Sequence, residues 1–530
     1  MKRLIKKYRN LKNEDRGAAL LLVGLSLSVL MGMAAFGSDL AWFYLNTSRI
    51  QRAADAAALG GVVWLPNNET TALATAHAIA IQNGYTHDAI NETTRVVPVR
   101  VPDELNQLEV TVSDTVPTFF LRIFGMHRQV ITRSAVAEYI PPLKLGSPSN
   151  KFGNDPECYA ANVDCRGNFW LNIHGTRTTT SYGDAFSSFC SIGSSGNGCG
   201  QNPTYRPHGY LFGIDPRGAA SVRLEQLDIT YHHDAAGVAQ GDPHRTGDHD
   251  AHQAGTIPGQ SVTVNVYFPD PTPMDISDNT LYCSHTFTPL PQINPDDNPP
   301  FNYPANWDAL GKGWATVCGD TINTSSSPNG IWVVQVVANT GASAGVTMGT
   351  GPRTTNSGNT GISGINQSGL NRFSLRTNVG NLFALGDFSI YNNAAGTITS
   401  FHLAEVPDFY RGKTLVIELY DAGESSVTGT LAPVAPGGGS YTGGCRIYTA
   451  SHSGDLTWSA PTTINPGSIC QRSVAPNEFD GRWLKFEIDL PPTYACTDCW
   501  WKMNYDYPGD MNDTTTWRAY ILGNPIHLLR

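Results

Sequence analysis

Five of the fourteen histidines fall in residues 231–252: His232, His233, His244, His249 and His252, interleaved with Asp234, Asp242, Asp248 and Asp250. Imidazole nitrogen and carboxylate oxygen are the ligands of zinc and related divalent ions. The Gly-Asp-Pro and Thr-Gly-Asp turns in the stretch can fold it into a loop. The expectation is a structural or partner-bridging divalent metal on His232, His233, Asp234, His244, His249 and His252. Against it stands a plain hydrophilic loop whose histidines titrate near neutral pH. No general base is positioned beside them, so the pattern does not point to metal catalysis.

All ten cysteines lie between Cys158 and Cys499. Even, clustered usage suits disulfides in an oxidising compartment. Neighbours pair Cys158 with Cys165, Cys190 with Cys199, Cys283 with Cys318, Cys445 with Cys470, and Cys496 with Cys499. The Cys496-Thr-Asp-Cys499 spacing also serves redox and zinc sites, but no second such pair and no thioredoxin-like context accompanies it. Trp500, Trp501, Tyr505 and Tyr507 offer ring faces for sugar stacking if exposed and core if buried, which makes a carbohydrate-binding surface protein the alternative reading. Enzyme signatures are missing: there is no Gly-x-Ser-x-Gly, His-Glu-x-x-His or Walker A sequence, and Asp296 and Asp297 lie in a proline-rich loop. The chain is read as non-catalytic, with an extracytoplasmic hydrolase as the third reading.

The elements that must carry these residues follow from composition. With 53 Gly, 34 Pro and only 15% charged residues, the chain favours short strands and many turns. At 530 residues it exceeds one core and calls for several domains. Net charge is −10, yet Lys2, Arg3, Lys6, Lys7, Arg9, Lys12 and Arg16 crowd the first turns against Glu14 and Asp15. The rest is therefore more acidic still, which argues against nucleic acid as a partner.

Residues 17–36 carry no charge. A helix of about twenty residues spans the roughly 30 Å hydrocarbon core. The basic residues before it place residues 1–16 in the cytoplasm and the chain after about residue 40 outside. A cleaved signal peptide, cut before Ser38, is the competing reading; the apolar run is longer than a signal h-region. Residues 39–61 are free of proline, rich in alanine and closed by Gly60-Gly61, so the helix is expected to continue to about Leu59. Leu40, Phe43, Thr47, Ile50, Ala54, Ala57 and Ala58 share one face, where small alanines admit another helix or a sheet.

Arg16, Gly17, Asp39, Tyr44, Arg49, Gln51 and the run 53–59, including Ala54, Asp55 and Ala58, resemble the N-terminal segment of TadG-like proteins. The resemblance covers about residues 16–61. It implies a component of the tight-adherence (Flp) pilus apparatus seated in the bacterial cytoplasmic membrane, its body in the periplasm or at the surface, and pilus-machinery proteins or self-association through the alanine-rich helix as partnerships beside the lipid bilayer. Related subunits cut by a prepilin peptidase carry a Glu five residues after the processing glycine; here Leu22 stands there. The von Willebrand A domain of some TadG-like proteins is rejected, because Asp275-Ile-Ser277-Asp-Asn279 lacks the second serine and follows prolines.

The fold class expected is α+β overall: a single transmembrane helix, a small α+β membrane-proximal domain, and a β-rich outer body of two antiparallel β-sandwiches. The divisions are 1–16, 17–61, 62–140, a linker at 141–150, a first β-rich domain at 151–340, a Gly/Ser/Thr/Asn-rich linker at 341–370, and a second β-rich domain at 371–530. Residues 69–83 and the stretch opened by Pro117 read as helices; 97–101, 108–112 and 130–137 read as strands. In the outer body, strands are expected at 222–231, 262–268, 331–337, 372–375, 388–391, 415–420 and 484–490. The phrase at 210–216 followed by 227–237 is echoed at 401–407 followed by 415–423, which points to an internal duplication.

Overall fold

The computed structural model describes residues 2–88, 90, 93–102, 104–154, 169–174, 183–186, 209–227, 249–251, 261–287, 314–339, 368–394, 398–450, 457–509 and 511–529. They form two compact units, Met1–Pro141 with Asn524–Arg530, and Pro142–Gly523. Apart from one long apolar N-terminal helix and few other helical turns, the described chain is mostly β-sheet.

In the first unit, α1 (Lys2–Val62) begins inside the basic segment and runs without a break through the apolar span. By length and composition it can cross a membrane. It continues past the expected stop at Gly60-Gly61. A Cβ at Gly61 would lie 2.6 Å from Leu108 Cδ2 and 2.9 Å from Ala76 Cβ, so this glycine permits close packing instead of ending the helix. α2 (Glu69–Gln82) is opened by Asn68, whose side chain accepts the Thr71 N–H, and it buries Ala72, Ala76 and Ala80.

Both helices pack on an antiparallel sheet in the order Thr94–Arg100, Gln107–Pro117, Arg128–Tyr139, Ile526–Leu528. Leu108, Val110 and Val112 alternate inward onto Ile50, Ala54, Ala57, Ala58 and Val62. The alanine face is therefore buried in the unit's own core. The helix expected after Pro117 is a single 3-10 turn, Leu121–Phe124, because the strand runs on through Pro117.

Among the described residues, the second unit holds two sheets. One has ten strands in the order Leu281–Phe287, Ser261–Tyr267, Trp332–Asn339, Tyr210–Asp215, Asn381–Leu385, Lys144–Leu145, Ile398–Glu405, Trp500–Asp506, Gly429–Val434, Arg472–Val474. The main path of the other runs Trp314–Asn323, Ser221–Leu227, Ser368–Thr377, Phe169–His174, Asp387–Ala394, Met511–Ile521, Thr414–Tyr420, Trp483–Asp489, Cys445–Thr449, Thr462–Ile464; Lys151–Phe152 and His249–Ala251 also pair with Ser368–Thr377 and bring this sheet to twelve strands. Rings of the two sheets meet: Phe212 with Phe373 at 6.4 Å, Phe401 with Trp517 at 5.6 Å, and Tyr505 stacked on Trp517 at 5.9 Å.

Two expected divisions fail here. The supposed linker at 141–150 contributes Lys144–Leu145 at mid-sheet, with Leu145 buried between Ala384 and Ala404. The body also does not separate at 341–370, since both sheets interleave strands from either side of it. The composition of that segment says nothing about which distant strands pair.

The echo nevertheless has a structural counterpart. In chain order, seven strands starting at Tyr210–Asp215, Ser221–Leu227, Ser261–Tyr267, Leu281–Phe287, Trp314–Asn323, Trp332–Asn339 and Ser368–Thr377 match Ile398–Glu405, Thr414–Tyr420, Gly429–Val434, Arg472–Val474, Trp483–Asp489, Trp500–Asp506 and Met511–Ile521. Their neighbours within each sheet are the same in both series. The match reaches side chains. Glu225 lies opposite Arg376, which stacks over Trp314 at 4.1 Å; Glu418 lies opposite Arg518, which stacks over Trp483 at 5.4 Å. Leu227 pairs with Trp314 as Tyr420 pairs with Trp483. This register equates Leu227 with Tyr420, which corrects the alignment of Tyr231 with Tyr420 implied by the sequence phrases.

Candidate functional site

Where the apolar span of α1 ends, Asp39 is fully buried on the helix. Its carboxylate accepts the backbone N–H groups of Phe119 (2.8 Å), Phe120 (2.9 Å) and Leu121 (2.7 Å). These are the otherwise unpaired donors at the start of the 3-10 turn, so Asp39 ties the tip of the hairpin between Gln107–Pro117 and Arg128–Tyr139 to the anchor. Trp42 adds an edge contact to Phe119 at 5.5 Å. Gly125, at φ 84°, closes the turn. The tip then presents Ile123 (79% exposed) and Phe124 (78%) to the outside, with Phe119, Phe120 and Met126 half exposed beside them.

The second feature is a carboxylate cluster. Strand Thr414–Tyr420 delivers Asp421 into a buried corner, where Gly481 N–H donates to Asp421 Oδ1. Asp421 Oδ2 is buried and has no hydrogen-bond partner. Asp421, Glu424 and Asp480 each bring a carboxylate oxygen within 4.8 Å of the others; Asp421 is buried, Glu424 half-buried and Asp480 exposed. Beneath them Asp513 accepts the N–H groups of Gly423 and Glu424 (3.1 Å each) and the Thr515 hydroxyl (2.8 Å), which shapes the loop. Burial pushes the Asp421 carboxyl up to about 10 and that of Glu424 up to about 8, each helped by neighbouring carboxylates. Burial also raises Asp513, to about 6, against the hydrogen bonds it accepts. The sequence offers no motif for this cluster, since Asp421 with Glu424, Asp480 and the supporting Asp513 come from three separate segments.

The residues singled out from sequence fare unevenly. Gly17 lies within α1, and Tyr44 and Arg49 are exposed. Gln51 donates to Asp55 Oδ1 (2.7 Å) and to the Ser134 carbonyl (3.2 Å), which joins the helix to the sheet. His232, His233, Asp234, His244 and His252 lie outside the described residues, as do Asp296, Asp297, Cys158, Cys165, Cys190 and Cys199. His249 opens a short strand and pairs with Leu370. Cys283–Cys318, Cys445–Cys470 and Cys496–Cys499 are disulfides, with Cα atoms 6.0, 5.9 and 5.1 Å apart. The thiols of Cys496 and Cys499 are thus spent on each other. Trp500, Trp501, Tyr505 and Tyr507 are buried and form no exposed stacking face.

No protein-family model matches this chain, and no curated protein is similar to it. Among solved structures, a chain in that of the Macrobrachium rosenbergii nodavirus is similar at 9% identity over 73% of this chain and 96% of its own, with a TM-score of 0.10; so low a score carries no argument.

Proposed function

We propose that the protein is a single-pass, membrane-anchored, non-catalytic component of a tight-adherence pilus or related surface-adhesion system. In this reading its N-terminus lies in the cytoplasm, its outer body lies in the periplasm or at the surface, and its partners are pilus-machinery proteins. The observation that carries the anchoring is that one unbroken helix supplies both the apolar span and the core of the membrane-proximal unit, so span and unit form one rigid element. The basic residues before the span support the orientation. Asp39 lies three residues, about 4.5 Å of helix rise, beyond Phe36. The hairpin tip it holds therefore belongs at the outer lipid interface, and Ile123, Phe124 and Met126 rest among lipid. The outer body serves as a binding scaffold of two fused β-sandwich repeats.

Photo-crosslinking in cells from the exposed Tyr44 position tests this. Adducts with membrane components of the pilus machinery are expected, together with a chain protected from external protease until the outer permeability barrier is opened. A mature N-terminus at Ser38, or adducts with no protein at all, would overturn it.

A further inference from the structure

We propose that Asp421, Glu424 and Asp480 form a divalent-cation site whose fitting ion is calcium. Calcium binds oxygen ligands at about 2.3–2.6 Å, so two oxygens on opposite sides of one ion stand about 5 Å apart or less. Three carboxylate oxygens mutually within 4.8 Å meet that condition. An independent observation points the same way: Asp421 Oδ2 is buried without any hydrogen-bond partner, although its sister oxygen accepts the Gly481 N–H. An orphaned buried carboxylate oxygen is costly, and a cation supplies the missing partner.

Among the described residues, no ion pair joins these three carboxylates to a basic side chain. The all-oxygen donor set disfavours zinc, whose sites are built chiefly on nitrogen and sulfur with carboxylates in addition, and three carboxylates in one cluster suit calcium better than the largely hydrated magnesium ion. Exposed Asp480 leaves an entry path and room for water ligands. Asp513 has its oxygens committed to the Gly423 and Glu424 amides and to Thr515, so it orients the loop from behind the site. A bound ion would join the end of Thr414–Tyr420 to the start of Trp483–Asp489, which are neighbours in the sheet.

The test uses full-length protein in detergent, stripped with chelator and titrated calorimetrically with calcium chloride. One ion per chain with a Kd on the order of 10⁻⁴–10⁻³ M is expected, along with an unfolding temperature that rises with calcium. Asp480→Asn, at an exposed position, should weaken binding at least tenfold and abolish the thermal shift, and Glu424→Gln provides a second variant should the first not fold. Absence of saturable calcium binding, or unchanged binding in both variants, overturns the proposal.

Discussion

The two halves of the outer unit follow the same seven-strand course but close their outer edges differently. In the first half, Cys283 and Cys318 link Leu281–Phe287 to Trp314–Asn323, the edge strands of the two sheets. The corresponding strands of the second half, Arg472–Val474 and Trp483–Asp489, contain no cysteine. There a hairpin, Cys445–Thr449 with Thr462–Ile464, extends the sheet beyond Trp483–Asp489, and Cys445 is bonded to Cys470 just before Arg472. An open sheet edge is a pairing hazard that needs blunting or covering. One strand order thus tolerates a staple set directly between its edge strands or one carried by an added hairpin, and the repeated part is the inner pairing and its buried side chains.

The largest effect should come from the shared core. Trp517 touches Phe388, Phe401 and Tyr505 and is fully buried; Leu375 holds the corresponding position in the first half. Trp517→Ala should cost about 3–5 kcal/mol and Leu375→Ala about 2–5 kcal/mol. Because both sheets run continuously through the two halves, calorimetry should show either variant lowering one common transition of the outer unit. Separate transitions for the two halves would break the view that they fold together.

Next in size are the disulfides. They span 35 and 25 residues, so chain-entropy arguments give similar losses, about 3–4 kcal/mol each, on replacing both cysteines by serine. Denaturant unfolding of the two double variants should give nearly equal midpoints. A much larger loss from Cys283–Cys318 would show that a staple set directly between edge strands acts on the native fold and not only on the unfolded chain.

The halves should also differ in their response to pH, since the carboxylate cluster belongs to the second. Asp421, Glu424 and Asp513 all titrate higher folded than unfolded, so the folded state holds protons that the unfolded chain has released. That stabilisation is fully present below the unfolded values near 4 and is lost as pH climbs through the folded values, from about 6 to about 10. Asp480 and Arg372 also act on Glu424, the first raising and the second lowering its carboxyl. Without divalent cations, the outer unit should melt at a higher temperature at pH 5 than at pH 9, and Asp421→Asn should flatten the difference. A melting temperature that rises towards pH 9 would contradict this.

Much of the first unit was legible in the sequence, because helices and hairpins are local: 69–83 became Glu69–Gln82, 97–101 overlaps the strand Thr94–Arg100, and 108–112 lies in its partner Gln107–Pro117. Most strands of the outer unit were legible individually by alternation, 262–268 and 484–490 among them. Their order was not, since Ser221–Leu227 pairs with residues some ninety and one hundred and fifty positions away. Side-chain pattern records which face is buried, not the partner. For the same reason Asp421, Asp480 and Asp513 gave no signal as a group. Exposure was equally hidden: Tyr44 points outward, whereas Trp500 and Trp501, which read equally well as a platform, are core.

The smallest expected effect tests the repeat most directly. Arg376 and Glu225 form a 2.7 Å pair across neighbouring strands, and Arg518 and Glu418 form the corresponding pair at 3.3 Å. Both pairs are largely shielded from solvent. A cross-strand charge pair contributes about 0.2–1 kcal/mol and a guanidinium over an indole about 0.5–1 kcal/mol, so each arginine should contribute about 1–2 kcal/mol. Two differences modulate this: Tyr520 donates to Glu418 (3.1 Å) and so partly satisfies it when the arginine is lost, while Asp387, 3.9 Å from Arg518, loses a neighbouring cation. These act in opposite directions, so Arg376→Ala and Arg518→Ala should lower stability by amounts within about 1 kcal/mol of each other. Lysine at either position keeps the charge but gives up the flat stacking on tryptophan, and should restore only part of the loss. If Arg376→Ala is neutral while Arg518→Ala costs the full amount, the trio is no shared element, and the likeness of the two halves stops at strand order.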